Sequence, residues 1–178
     1  MTLKDQNILE RWFAGVHGAQ GKGEDVLRDF VSRVQGTAIP GLKAERVEVT
    51  RGVGASLKGI FGGNKDAGKP RDFIRITNEQ LEGYAIYAGT RDYGKLLLAS
   101  WYLLFDKSSI SRHAKMIERS TGGLLDYSEL DLFQMEEMSA FTQLVHSAFT
   151  GAVEDIMKDL NLDFTKIDTH TKGFLNLS

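Results

Sequence analysis

Residues 83–105, Gly-Tyr-Ala-Ile-Tyr-Ala-Gly-Thr-Arg-Asp-Tyr-Gly-Lys-Leu-Leu-Leu-Ala-Ser-Trp-Tyr-Leu-Leu-Phe, restrict what this chain can become more than any other stretch. Two runs rich in aromatic and aliphatic residues flank a polar segment, Thr90 to Gly94, which is the pattern of a β-hairpin. Successive side chains of a strand point to opposite faces. In the second run Leu97, Ala99, Trp101, Leu103 and Phe105 share one face, and Leu96, Leu98, Tyr102 and Leu104 share the other, with Ser100 as the one polar break. A strand that is apolar on both faces needs cover on both. That cover must come from the rest of the chain, from a second copy or from an apolar ligand.

The remaining chain is long enough to supply a core. At 178 residues, with 42% hydrophobic and 26% charged residues, one domain is expected. Cysteine is absent, which excludes disulfides, thiolate metal sites and a cysteine nucleophile. Asp5, Glu10 and Arg11 interrupt Met1–Ala19, so it does not read as a signal peptide. Leu96–Phe105 has about half the length of a membrane-spanning helix, and a cytoplasmic protein is the expectation. The net charge of −2 hides an asymmetry: residues 1–120 carry a balance of +5 and residues 121–178 one of −7. The basic part could face an anionic partner. A pI near 6 argues against a dedicated nucleic-acid binder, and no nucleic-acid partner is expected.

Taken in order, Leu3, Ile8, Leu9, Trp12, Phe13 and Val16 form a helix-like stripe. Val26, Leu27, Phe30, Val31 and Val34 mark a second amphipathic helix over Glu24–Gln35. Lys43–Arg51 alternates as a half-exposed strand, and Asp72–Thr77 is another. Between them lies a glycine-rich stretch, 52–71, expected to be a long mobile loop. Its Leu57, Lys58, Ile60 and Phe61 place apolar groups beside lysine, a pattern that also suits a partner or an anionic membrane surface. The basic segment after Phe105, with Arg112 and Lys115, suits the same surface or serves as a docked connector. Asp126-Tyr127-Ser128-Glu129 has capping-box spacing and opens a long helix to about Leu160, with a wide apolar stripe from Leu132 to Met157.

Chemistry is thinly represented. Gly63 to Lys69 matches the front of a phosphate-binding loop, but Pro70 stands where the hydroxyl residue belongs and a strand follows instead of a helix. His146 lies more than two helical turns from Glu136 and Glu137, too far to share a metal, and reads as a buried helix histidine hydrogen-bonded to a neighbour. No catalytic residue, metal site or cofactor is expected. The candidates for ligand contact are Arg91 at the hairpin and Tyr84, Tyr87, Trp101 and Tyr102 as walls of a pocket between sheet and long helix.

Gly89-x-Arg91-Asp92-Tyr93-Gly94-Lys95 leading into Ser100-Trp101-Tyr102-Leu103, followed by Thr165-Lys166-Ile167-Asp168 and Lys172-Gly173-Phe174-Leu175, resembles a family of prokaryotic proteins without an assigned activity. The resemblance covers roughly the last half of the chain and implies that the two stretches belong to one domain. It brings no catalytic residues.

The expected fold is α+β: N-terminal helices, a four-stranded, mainly antiparallel sheet and a long C-terminal helix packed across it. The expected function is that of a non-enzymatic interaction module, homo-oligomeric and able to touch an anionic membrane. The alternative is a carrier for a small apolar ligand.

Overall fold

The computed structural model of the chain describes residues 8–49, 70–105 and 131–173, together with 175 and 177. The fold is α+β, with an antiparallel sheet and a long C-terminal helix. In chain order it runs β1 (Ile8–His17), α1 (Gly23–Gly36), β2 (Leu42–Val49), β3 (Arg71–Asn78), β4 (Tyr84–Tyr93), β5 (Leu96–Phe105), α2 (Leu132–Asp159), a single 3-10 turn (Phe164–Lys166) and the two-residue β6 (Lys172–Gly173).

The sheet has six strands rather than the expected four, in the order β2-β3-β4-β5-β1-β6. Both additions lie beyond β5, β1 next to it and β6 outside β1. Ile8–His17, expected as a helix, pairs antiparallel with β5 from Ile8↔Leu104 to His17↔Leu96. Its apolar residues fit a helical stripe over this short length, yet Glu10, Trp12, Ala14 and Val16 also alternate, and all four are buried. The glutamate in that set disguises the strand. The other addition, β6, pairs with Glu10 and Arg11.

The hairpin turn is tighter than the sequence suggested. Thr90–Tyr93 continue β4, and the reversal falls on Gly94-Lys95, with Tyr93 opposite Leu96. Gly94 has φ +62°, so the two-residue loop can follow the right-handed twist of the strands. Asp92 accepts a hydrogen bond from the Gly21 amide at 3.0 Å and ties this turn to the start of α1.

Both helices lie on the same face of the sheet. Val26, Leu27, Phe30 and Val34 of α1 pack with Met138, Phe141, Val145, Phe149, Val153 and Met157 of α2 over Trp12, Val16, Ile76, Ile86, Leu97 and Leu103. Phe30 and Phe149 meet edge-on at 5.0 Å. Burial of side chains this large, at about 1.5–3 kcal/mol each, is the main stabilisation of the domain. Exposed ion pairs frame the interface without contributing much: Arg46 joins Glu24 of α1 to Asp72 of β3, and Arg33 joins Asp155 of α2. The Arg46 guanidinium beside Glu24 holds that carboxyl below its usual value.

The described start of α2 is Leu132, capped by Asp131, whose side chain accepts from the Gln134 amide while Gln134 reaches back to the Asp131 amide. The capping box expected at 126–129 lies outside the described residues. So do Leu57, Lys58, Ile60, Phe61, Arg112 and Lys115. Of the expected apolar stripe, Met138, Phe141, Val145, Ala148, Phe149, Ala152, Val153 and Met157 are buried, whereas Leu132, Met135 and Leu144 are exposed and Thr142 and His146 are buried in addition. No described helix is long and apolar enough to cross a membrane.

Candidate functional site

With α1 and α2 on one face, the other face of the sheet is where the odd-numbered residues of β1 (from Arg11 on) and of β2 to β4, and the even-numbered residues of β5, emerge. Register assembles them into rows. In the middle row Val47 opposes Phe73, Phe73 comes level with Gly89, Gly89 opposes Ser100, and Ser100 opposes Phe13. The two smallest residues of the row therefore lie between two phenylalanines. A Cβ on Gly89 would stand 2.7 Å from the Phe73 ring, so glycine is what lets that ring lean across β4. The result is a depression of about 210 Å³ lined by Phe13, Phe73, Gly89, Leu98, Ser100 and Tyr102, with Arg71 and Arg91 at its rim.

The two arginines set its electrostatics. Arg71 of β3 and Arg91 of β4 border the same depression, where like charges repel. Three cations of β2 and β3 are neutralised: Lys43 by Glu79, Arg46 by Glu24 and Asp72, Arg75 by Glu45. Among the described residues neither Arg71 nor Arg91 makes an ion pair; Arg91 rests 5.7 Å from the ring centroid of Tyr93, a cation–π contact. Asp72 also borders the depression, but its carboxylate is engaged by Arg46.

The five ligand-contact residues expected from sequence do not converge. Arg91 and Tyr102 both line this depression. Tyr87 is on the same face but fully buried, in a small cluster with Ala85 and Leu104, and its hydroxyl accepts from Arg75 Nε at 3.1 Å. Tyr84 and Trp101 are on the opposite face, inside the core beneath the helices. The face assignment follows from residue parity, and the hairpin turn being two residues long decides the parity of β4 relative to β5. Phe13, Arg71, Phe73 and Gly89 were not expected in a site. Their joint signal is cross-strand register, which the sequence does not display.

A second constellation holds the C-terminal segment to the sheet. Trp12 and Trp101 are cross-strand neighbours on the core face, and His146 of α2 lies against both rings, at centroid distances of 5.8 and 5.6 Å. The Trp101 indole N–H donates to His146 Nδ1 at 3.0 Å. His146 Nε2 therefore carries the proton and donates to the Thr169 carbonyl at 2.9 Å. The Trp12 indole donates to the Asp168 carbonyl at 2.8 Å. Glu10, fully buried, accepts from the Thr171 hydroxyl and, at 2.6 Å, from the Leu175 amide. Gly173 passes so close that a Cβ there would collide with the Leu9 carbonyl and with Glu10. Both nitrogens of His146 are occupied structurally, as expected for a buried helix histidine. Among the described residues no cluster of three or more acidic or histidine groups could hold a metal ion.

Burial pushes the His146 imidazole below its ordinary value of 6.5, opposed by its bond to Thr169 and by Glu10 nearby. The unfolded chain therefore binds the proton first as pH falls. The contribution of neutral His146 is complete above about pH 6.5 and is lost as pH drops toward the lowered folded value. The melting temperature of the wild type is expected to fall more between pH 7 and pH 5 than that of His146→Gln. Parallel pH profiles for the two proteins would show that His146 is not the group responsible.

The chain matches no protein-family model, no curated protein and no solved structure.

Proposed function

We propose that the protein is a non-enzymatic binding module whose working surface is the sheet face opposite the helices, where it takes a small ligand made of an apolar ring and an anionic group. The observation that carries this reading is the depression between Phe13 and Phe73, with two arginines at its rim that make no ion pair among the described residues. Aromatic walls supply contact area and convergent charged groups fix orientation, which is how small-molecule sites are commonly built. The reading moves the ligand away from the sheet–helix interface, where Trp101 is fully buried and hydrogen-bonded to His146.

Calorimetric titration with naphthalene-2-carboxylate tests it. Wild type is expected to bind. Ser100→Leu, which fills the floor, and Arg91→Gln, which removes one rim charge, should each weaken binding about tenfold or more, as loss of roughly 1.4 kcal/mol would. Binding unchanged in both variants would refute the site.

Self-association remains a second reading. It is favoured by the apolar start of α2, where Leu132 and Phe133 are 68% and 77% exposed. Sedimentation velocity of the wild type and Phe133→Glu checks it; a wild-type monomer at all concentrations would end it.

A further inference from the structure

We infer that the ligand of this face is a nucleotide unit, with its base in the depression between Phe13 and Phe73 and its phosphate on Arg71 and Arg91. This rests on the binding role proposed above and names the chemistry of what is bound. A free mononucleotide and a stretch of single-stranded nucleic acid share that chemistry.

Size is the first argument. A depression of about 210 Å³ lies below the roughly 300–1,000 Å³ of sites that enclose larger ligands. It accommodates one flat ring system rather than an acyl chain or a multi-ring cofactor. Phe13 is 58% exposed and offers its ring as a stacking surface. The Ser100 hydroxyl on the floor can donate to or accept from a base edge. Base stacking on aromatic side chains is the sequence-tolerant component of single-strand recognition.

Charge is the second. Two arginines on the rim of one depression, both without a carboxylate partner among the described residues, suit a phosphate, whose oxygens accept paired N–H groups. Along the described strands the carboxylates near this face are Glu45, paired with Arg75, and Asp72 at the edge of the depression, paired with Arg46. Many of the described acidic groups are on the helices: Glu24, Asp25 and Asp29 on α1, and Glu136, Glu137, Glu154, Asp155 and Asp159 on α2. An overall pI near 6 therefore says little about this face, and the expectation from bulk composition that no nucleic acid would bind is set aside here.

Repetition is the third. Beyond Phe13 stand Arg11 and Lys172, which are paired in register on β1 and β6 and likewise make no ion pair among the described residues. The Lys172 ammonium lies 5.7 Å from the Phe13 ring centroid. Arg11 is two strands and four residues removed from the level of Arg91. Strand spacing and rise put the two about 16 Å apart. Cations, ring surface and cations again form a diagonal track, which a free mononucleotide would fill halfway and a strand would follow throughout.

Fluorescence anisotropy with a labelled ten-residue oligouridylate, with UMP, unlabelled oligouridylate and duplex DNA as competitors, tests this on the full chain. The labelled strand is expected to bind. Ser100→Leu and the double variant Arg71→Gln/Arg91→Gln should each weaken it at least tenfold, and affinity should fall as salt rises. If UMP competes as well as the oligomer, the ligand is a mononucleotide. If the oligomer wins by tenfold or more and Arg11→Ala/Lys172→Ala removes that advantage, it is a strand. Either result supports the nucleotide assignment. Duplex competing as well as single strand, or binding that survives Ser100→Leu, overturns it, because no base is then held in the depression. Naphthalene-2-carboxylate binding without nucleotide binding overturns this inference alone; absence of both overturns the binding role as well.

Discussion

Replacing Glu10 by alanine is expected to release the C-terminal segment from the sheet and to lower global stability by on the order of 3 kcal/mol. Both carboxyl oxygens accept hydrogen bonds inside the protein, from the Thr171 hydroxyl and the Leu175 amide. Truncation removes the acceptors and leaves the donors buried or forces the segment away. Gly173 is fitted against Leu9 and Glu10 with no room for a side chain, so the segment cannot simply slide to new partners. Thr171 is further engaged by Leu177, whose carbonyl accepts from the Thr171 amide at 2.9 Å and whose amide donates to the Thr171 hydroxyl at 2.7 Å. The loss should therefore spread from 171 to 177. Glu10→Gln keeps the shape but turns one acceptor into a donor facing a donor, and should cost less than Glu10→Ala. Urea denaturation gives the energies, and amide exchange at Thr171, Leu175 and Leu177 reports the release. A stability change below about 0.5 kcal/mol, the level of an ordinary surface substitution, would show that the segment is not held through Glu10.

Trp101→Ala should be the more damaging core substitution, costing about 4 kcal/mol by loss of a large buried ring and the cavity left behind. Trp101 is fully buried, opposes Trp12 across the strand pair and donates its indole N–H to His146. Trp101→Phe retains ring contact and deletes the donor, and should cost about 1–2 kcal/mol. His146→Gln alone and combined with Trp101→Phe completes a double-mutant cycle that isolates the indole–imidazole bond. If Trp101→Ala and Trp101→Phe destabilise equally, the hydrogen bond dominates and the packing account is wrong. Far-UV circular dichroism would verify that the alanine variant still folds before its denaturation curve is interpreted.

Local pattern was sufficient wherever a residue's surroundings are set by its near neighbours in the chain. The run of 96–105 and the stripe of 24–35 each correspond to an element at nearly the expected boundaries, and the stripe from Met138 to Met157 lies on α2, whose end matches while its cap is Asp131 rather than Asp126. It was insufficient at Ile8–His17, where Glu10 occupies a core position. Its burial depends on hydrogen bonds from Thr171 and Leu175, more than 160 positions away. No window of local sequence contains those partners, so a buried glutamate looks like a solvent-facing one and the strand looks like a helix.

The same distinction separates the candidate site from its residues. Composition and periodicity alone determined that this is an α+β chain with an antiparallel hairpin at its centre, a long helix to cover it and a second apolar face on β5 in need of explanation. Only the tertiary structure decided that α1 joins α2 on one face, leaving the other to carry the depression. It likewise decided that Tyr84 and Trp101 fall in the core while Arg91 and Tyr102 line one depression with Phe13, Arg71 and Phe73. A strand's side chains are assigned to faces by the parity of its pairing, and a shift of one residue in a turn exchanges the two sets. Such a shift leaves hydrophobic content and period unchanged, so the register that places Gly89 and Ser100 between two phenylalanines is a property of the paired strands and not of any one of them.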